Sequence, residues 1–124
     1  MSNFPSIDKV ERMLDKISEE IPKDFFKDLN EGVVLLPQSK IHPESRGEEL
    51  LVLGEYSRSV TGRNIKIYYG SFKKVYNGLS YEELYEELKE TLLHEFTHHL
   101  ESLADERGLE IKDAIRLEEY RNKK

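Results

Sequence analysis

Residues 80–108 read SYEELYEELKETLLHEFTHHLESLADERG, a stretch that holds a whole helix together with its own punctuation. Ser80 followed by Glu83 is a capping box, in which each side chain takes a backbone N–H left over at a helix start. Glu82, Glu83, Glu86 and Glu87 crowd the first turns, where the helix dipole favours negative charge. Gly108 suits the C-cap. At about 3.6 residues per turn, Leu92, Phe96, Leu100 and Leu103 fall on one side, with Leu88 at their border. His94, His98 and Glu101 fall roughly opposite, and Glu95 sits between the two faces beside His98. One face is made for a core, and the other aims two imidazoles, one turn apart, at something else.

Outward from this helix the chain divides into short elements. Residues 7–21 carry Val10, Met13, Leu14, Ile17 and Ile21 on one amphipathic stripe, with Ser6 as N-cap and Pro22 as stop. A short helical piece is expected over 24–29. Gly32 introduces an apolar strand over 33–36, ended by Pro37, and the polar segment 38–49 with Pro43 and Gly47 reads as a loop. A second strand is expected over 50–56 and a turn over 57–64. The run IKIYYGSF, 65–72, is the clearest strand, with Ile65, Ile67 and Tyr69 alternating against Lys66 and Tyr68. Asn77 and Gly78 mark a turn. A last helix is expected over 110–120, on Ile111, Ala114, Ile115 and Leu117. Helix, strands, helix, helix is the order of an α+β domain with a small mixed sheet, and 124 residues suit one domain, 1–124.

Composition narrows the function classes. The formal net charge is −6, which argues against nucleic acid or an anionic membrane as main partner, since both require a basic face. Arg58, Arg63, Lys66, Lys73 and Lys74 are the residues from which a local basic patch would be made. With no cysteine, thiolate metal sites, disulfides and cysteine nucleophiles are excluded. The N-terminus lacks the pattern of a signal peptide, and no apolar run has the length of a membrane span. The expected compartment is the cytoplasm.

The chemistry sits in HEFTH, the pattern HExxH. Histidines at i and i+4 can share one tetrahedral zinc at about 2.0–2.1 Å, so His94 and His98 are the expected ligands. Zinc brings the pKa of its water down to about 7. Glu95, beside the open coordination position, is the expected general base, taking a proton from that water and passing it to the leaving amine. Three of the four histidines lie between positions 94 and 99. His99 points to the edge of the apolar face and reads as a packed, hydrogen-bonded core residue. His42, beside Pro43, reads as an exposed loop residue.

A catalytic zinc takes a third protein ligand. The spacing leaves three acids open: Glu101 on the histidine face, which equally suits the role of orienting His98; Asp105, which a turn at Gly108 would fold back; and Glu118, twenty residues beyond His98.

From position 65 to 119 the chain, above all TLLHEFTHHLESLADER, resembles the small bacterial zincin-like metallopeptidases, or minimal metalloproteases. In many of these the core continues HExxHHxGxxD, with the aspartate as suggested third ligand. Here Glu101 stands in place of the glycine and Ala104 in place of the aspartate; a one-residue insertion would align Asp105 with it. The resemblance therefore implies Asp105 as the third ligand, with Glu101 as runner-up. It also implies a zincin-like fold whose antiparallel edge strand, expected over 65–71, lies above the metal and pairs with an extended peptide. Tyr68 or Tyr69 would then help to hold the oxyanion.

The expected function is a zinc metallopeptidase acting on a peptide or protein substrate. The alternatives are a zincin-like module that binds metal or a partner without chemistry, and a metal-dependent hydrolase of a non-peptide substrate, RNA included.

Overall fold

The computed structural model describes residues 4–47 and 49–107. The expected helix over 110–120, with Gly108 and Glu118, lies outside the described residues.

Helix α1 (Ile7–Glu20) begins where the Ser6 hydroxyl accepts the Lys9 N–H at 3.3 Å. Its stripe of Val10, Met13, Leu14 and Ile17 is buried, and Pro22 follows because it cannot continue the hydrogen-bond ladder. A 3-10 turn over Lys23–Phe26 then delivers Phe25 to the core. Five strands follow: β1 (Val33–Leu36), β2 (Lys40–Ile41), β3 (Leu51–Val52), β4 (Gly54–Arg58) and β5 (Arg63–Tyr68). Helices α2 (Tyr69–Val75) and α3 (Tyr81–Arg107) complete the described chain. The molecule is α+β.

The main sheet has the order β1-β5-β4 and is mixed. Strand β5 runs parallel to β1, with Val33 opposite Ile65, and antiparallel to β4, with Tyr56 opposite Ile65. Strands β2 and β3 form a separate small antiparallel pair, so the segment expected to be loop holds one short strand, and the strand expected over 50–56 is divided into β3 and β4. Helix α3 lies against β4 and β5, with α1 packed beside it. Between them Ile65 and Ile67 are fully buried with Leu88, Leu92 and Phe96. Phe26 meets Phe96 edge to face, centroids 4.9 Å apart. Each such side chain contributes about 1.5–3 kcal/mol by leaving water.

Two expectations about the IKIYYGSF run are corrected. The strand ends at Tyr68, and Tyr69–Val75 is helical. Phe72 is fully buried and its ring lies 5.5 Å from that of Tyr76, so the helical spacing of Tyr68, Phe72 and Tyr76 prevails over the short alternation before it. Gly70 makes the turn into α2 possible: a Cβ there would stand 2.6 Å from the Ser39 backbone nitrogen. In addition, β5 is the central strand and not the edge; the edge strand facing α3 is β4.

At the start of α3 the capping box closes as expected. The Ser80 N–H reaches Glu83 Oε1 at 3.0 Å and the Glu83 N–H reaches Ser80 Oγ at 3.2 Å. No helix among the described residues is long and apolar enough to cross a membrane.

Candidate metal centre

Helix α3 divides its faces as its spacing predicts. Leu92, Phe96, Leu100 and Leu103 are buried, whereas His94, His98 and Glu101 are exposed. The rings of His94 and His98 stand perpendicular, centroids 4.7 Å apart, and their Nε2 atoms face each other at 3.1 Å. Two imidazole donors about 2.0–2.1 Å from one tetrahedral ion stand about 3.3–3.4 Å apart, so a spread of a few tenths of an ångström would seat it. The pair therefore fits a zinc ion by donor chemistry and by distance.

Glu95 is 7 % exposed and lies against the edge strand. Tyr56 is opposite Ile65, whose own N–H is spent on Gly32 O of the neighbouring strand at 3.0 Å. In an antiparallel pair of this kind the Tyr56 N–H turns outward, and there it donates to the Glu95 carboxylate. Burial is the strongest influence on this carboxyl and pushes its pKa up. The neighbouring His98 and the Tyr56 N–H pull it back, and Glu55 pushes it up again. Gly54 allows the approach: a Cβ there would stand 2.9 Å from Thr91 Cγ2 and 3.4 Å from Glu95 Cγ.

The acids expected as third ligands are placed differently from each other. Glu101 Oε1 lies 3.6 Å from Nδ1 of His98, the nitrogen that does not face His94. An acid on that side of the ring is placed for the orienting role, not for ligation from the Nε2 side. Helix α3 continues past Asp105 to Arg107, which sets Asp105 roughly 10 Å along the axis from His98. Asp105 still lines the same groove as Glu95 and His98. Among the described residues no group of three or more His, Asp or Glu side chains is close enough to share an ion.

The groove has a volume of about 710 Å³ and runs between α3, β4 and the segment carrying Lys40, His42 and Pro43. On its wall Lys40 Nζ sits 2.8 Å from Glu55 Oε2, and the Tyr68 hydroxyl donates to Glu55 Oε1 at 2.9 Å. The lysine's hydrogen bonds hold the Glu55 carboxyl below its ordinary pKa. Tyr68 is thus engaged on the sheet, and the Tyr69 hydroxyl donates to Pro5 O at 2.6 Å, so neither tyrosine is aimed at the histidine pair.

Behind the helix, Arg63 Nη1 donates to the Tyr56 hydroxyl at 2.9 Å. His99 is fully buried, with Nε2 2.7 Å from Lys27 O and Nδ1 2.9 Å from Tyr56 Oη. A carbonyl can only accept, so Nε2 carries the proton and Nδ1 accepts the tyrosine O–H. His99 is the packed histidine that its position suggested. Arg63, 8 % exposed, belongs to this buried network and not to a basic patch.

Sequence reasoning missed Gly54, the outward Tyr56 N–H and His42. A glycine inside a strand often marks a close approach, which was the available signal for Gly54. His42 carried none, because nothing local places its loop over the helix.

No family model matches the chain, and no curated protein matches it. Among solved structures it is similar to a conserved hypothetical protein from T. thermophilus, at 36% sequence identity and a TM-score of 0.67. The alignment covers 81% of this chain and 98% of that one.

Proposed function

The chain belongs to the same family as the conserved hypothetical protein of T. thermophilus, and from the site described above we propose that it is a zinc-dependent metallohydrolase of the zincin type, acting as a peptidase. The observation that carries this reading is the facing Nε2 pair of His94 and His98 at 3.1 Å, with buried Glu95 between them in sequence and at the same groove.

His94 and His98 would hold the ion, and Glu101 would orient His98. The resemblance supplies Asp105 as third donor, with Glu101 as runner-up; in this structure Glu101 already faces the far side of the His98 ring. When bound, zinc supplies Lewis acidity that polarises a carbonyl and makes water a nucleophile near neutral pH. Glu95 takes a proton from the attacking water and delivers it to the leaving amine nitrogen as the C–N bond breaks. The Tyr56 N–H fixes the carboxylate's position. Apart from the Tyr56 N–H, which is spent on Glu95, the edge of β4 offers its outward backbone groups to an extended peptide, a pairing that would lay the scissile bond over the helix.

A second reading, a metal- or partner-binding module without hydrolysis, draws on the lack of a three-donor group among the described residues. Metal analysis and a peptide-library digest decide between the two. Wild type should bind one zinc, lost in His94→Ala and in His98→Ala. Glu95→Gln should keep the zinc and lose cleavage by about 10²–10⁴-fold, the usual contribution of a general base. Glu101→Ala beside Asp105→Ala separates orientation from ligation, since only loss of a ligand abolishes tight binding. No zinc above trace after reconstitution at neutral pH would overturn the enzyme reading.

A further inference from the structure

The second nitrogen of each histidine at the groove tells what the first can do. A neutral imidazole carries one N–H and one lone pair. In His98 the carboxylate of Glu101 stands 3.6 Å from Nδ1, on the side away from His94. His42 is tied through a hydrogen bond instead. Its Nδ1 accepts the backbone N–H of Glu44 at 3.0 Å, so in the neutral ring Nε2 carries the proton. Binding an ion through Nε2 would force a proton onto Nδ1, against the Glu44 N–H. His42 is therefore built to donate a hydrogen bond and not to ligate.

Its position gives the donor a use. His42 is half-buried and lines both the 710 Å³ groove, with Glu95 and His98, and a neighbouring hollow of about 500 Å³, with His94 and Glu95. His42 shares both linings with Val52, Gly54 and Glu95. Its loop is held by its own hydrogen bonds. The His42 N–H reaches Leu50 O at 2.8 Å, the Ser45 N–H reaches His42 O at 2.9 Å, and the Leu50 N–H reaches Ser45 Oγ at 3.0 Å. Among the described residues Nε2 has no hydrogen-bond partner.

We propose that His42, through its Nε2–H, donates a hydrogen bond to the carbonyl oxygen of the bound substrate and strengthens that bond as the oxygen becomes anionic. This inference rests on the hydrolase reading given above and deepens it. No proton is transferred by His42: the water proton goes to Glu95 and on to the amine nitrogen, the C–N bond breaks, and the new C–O bond stays in the carboxylate product. Such a fixed donor is effective because it need not reorient as charge develops.

The test has four readouts on the full chain. Long-range 1H–15N correlation spectra of wild type should show His42 protonated on Nε2; a proton on Nδ1 alone overturns the proposal. Zinc content should be equal in wild type and His42→Ala, and loss of zinc would make His42 a ligand instead. Affinity of the zinc-loaded protein for acetohydroxamate should fall about tenfold in His42→Ala, as for one hydrogen bond to a charged group, and recover in part in His42→Gln, which keeps a donor; unchanged affinity overturns the proposal. On any peptide that wild type cleaves, kcat should fall about 10²–10³-fold with KM nearly constant, and an unchanged kcat overturns it. A wild type that binds zinc and acetohydroxamate yet cleaves no peptide defeats the peptidase reading alone, because the first three readouts still decide the role of His42.

Discussion

Glu20 closes α1 onto α3 through two partners, the Tyr85 hydroxyl, which donates to Oε2, and Lys89 Nζ, 2.9 Å from Oε1. The tyrosine bond first and the lysine second hold its carboxyl below the ordinary glutamate range. A carboxyl with a depressed folded pKa contributes stability that is present above its unfolded pKa and lost as pH falls through the folded one. Glu20→Gln should therefore lower stability at neutral pH and match wild type once the pH falls below the carboxylate range. The side chain is 43% exposed, and solvent screening keeps the difference to about 0.5 kcal/mol. Thermal melts of both proteins across an acid pH series check it. No part of this link was legible in the sequence, because 65 positions separate Glu20 from Tyr85. By contrast His94, Glu95 and His98 were legible, because a helix places residues one turn apart on one face wherever it occurs.

At the scale of elements, the contact that shapes the site is β4 on α3. Gly54 is a point of close approach, and a Cβ there would also stand 3.3 Å from Ile67 Cδ1. Gly54→Val should push the edge strand off the helix, costing about 1–3 kcal/mol as overpacking does. It should also weaken the Tyr56 N–H contact that positions Glu95. The expected signature is a lowered urea midpoint and reduced cleavage with zinc affinity retained, since His94 and His98 sit on α3 itself. A Gly54→Val protein of wild-type stability would mean that the strand does not bear on the helix. The sequence pointed to strands on both sides of residue 60, but its clearest alternation marked the buried central strand β5, not the edge. With a neighbour on each edge and one face in the core, β5 alternates buried Ile65 and Ile67 with half-buried Asn64 and Lys66, whereas the edge strand tolerates Gly, Glu, Ser and Arg.

For the whole molecule, a bound ion adds to folding stability because the unfolded chain does not hold the two histidines together. At a free zinc concentration of about 100 times Kd the native state should gain about 2.7 kcal/mol. For a domain of this size that is a rise in Tm of roughly 10 °C. Differential scanning calorimetry should show the rise in wild type, its reversal by a chelator, and its absence in His94→Ala. The same rise is expected in Glu95→Gln, which keeps both nitrogen donors. No shift in wild type at saturating zinc would remove the metal from the account of the fold and of the function together.

By itself the sequence determined what depends on neighbours within a few residues. It settled the amphipathic faces of α1 and α3, the capping box at Ser80, and the alignment of His94 and His98 one turn apart, because helical periodicity and end capping are local. Tertiary structure alone decided which strand is the edge, that Gly54 and Tyr56 come against Glu95, and that His42 comes to the groove at all. Those outcomes depend on how segments far apart in the chain pack and pair, and loop closure between them leaves no periodic trace in the residues that it brings together.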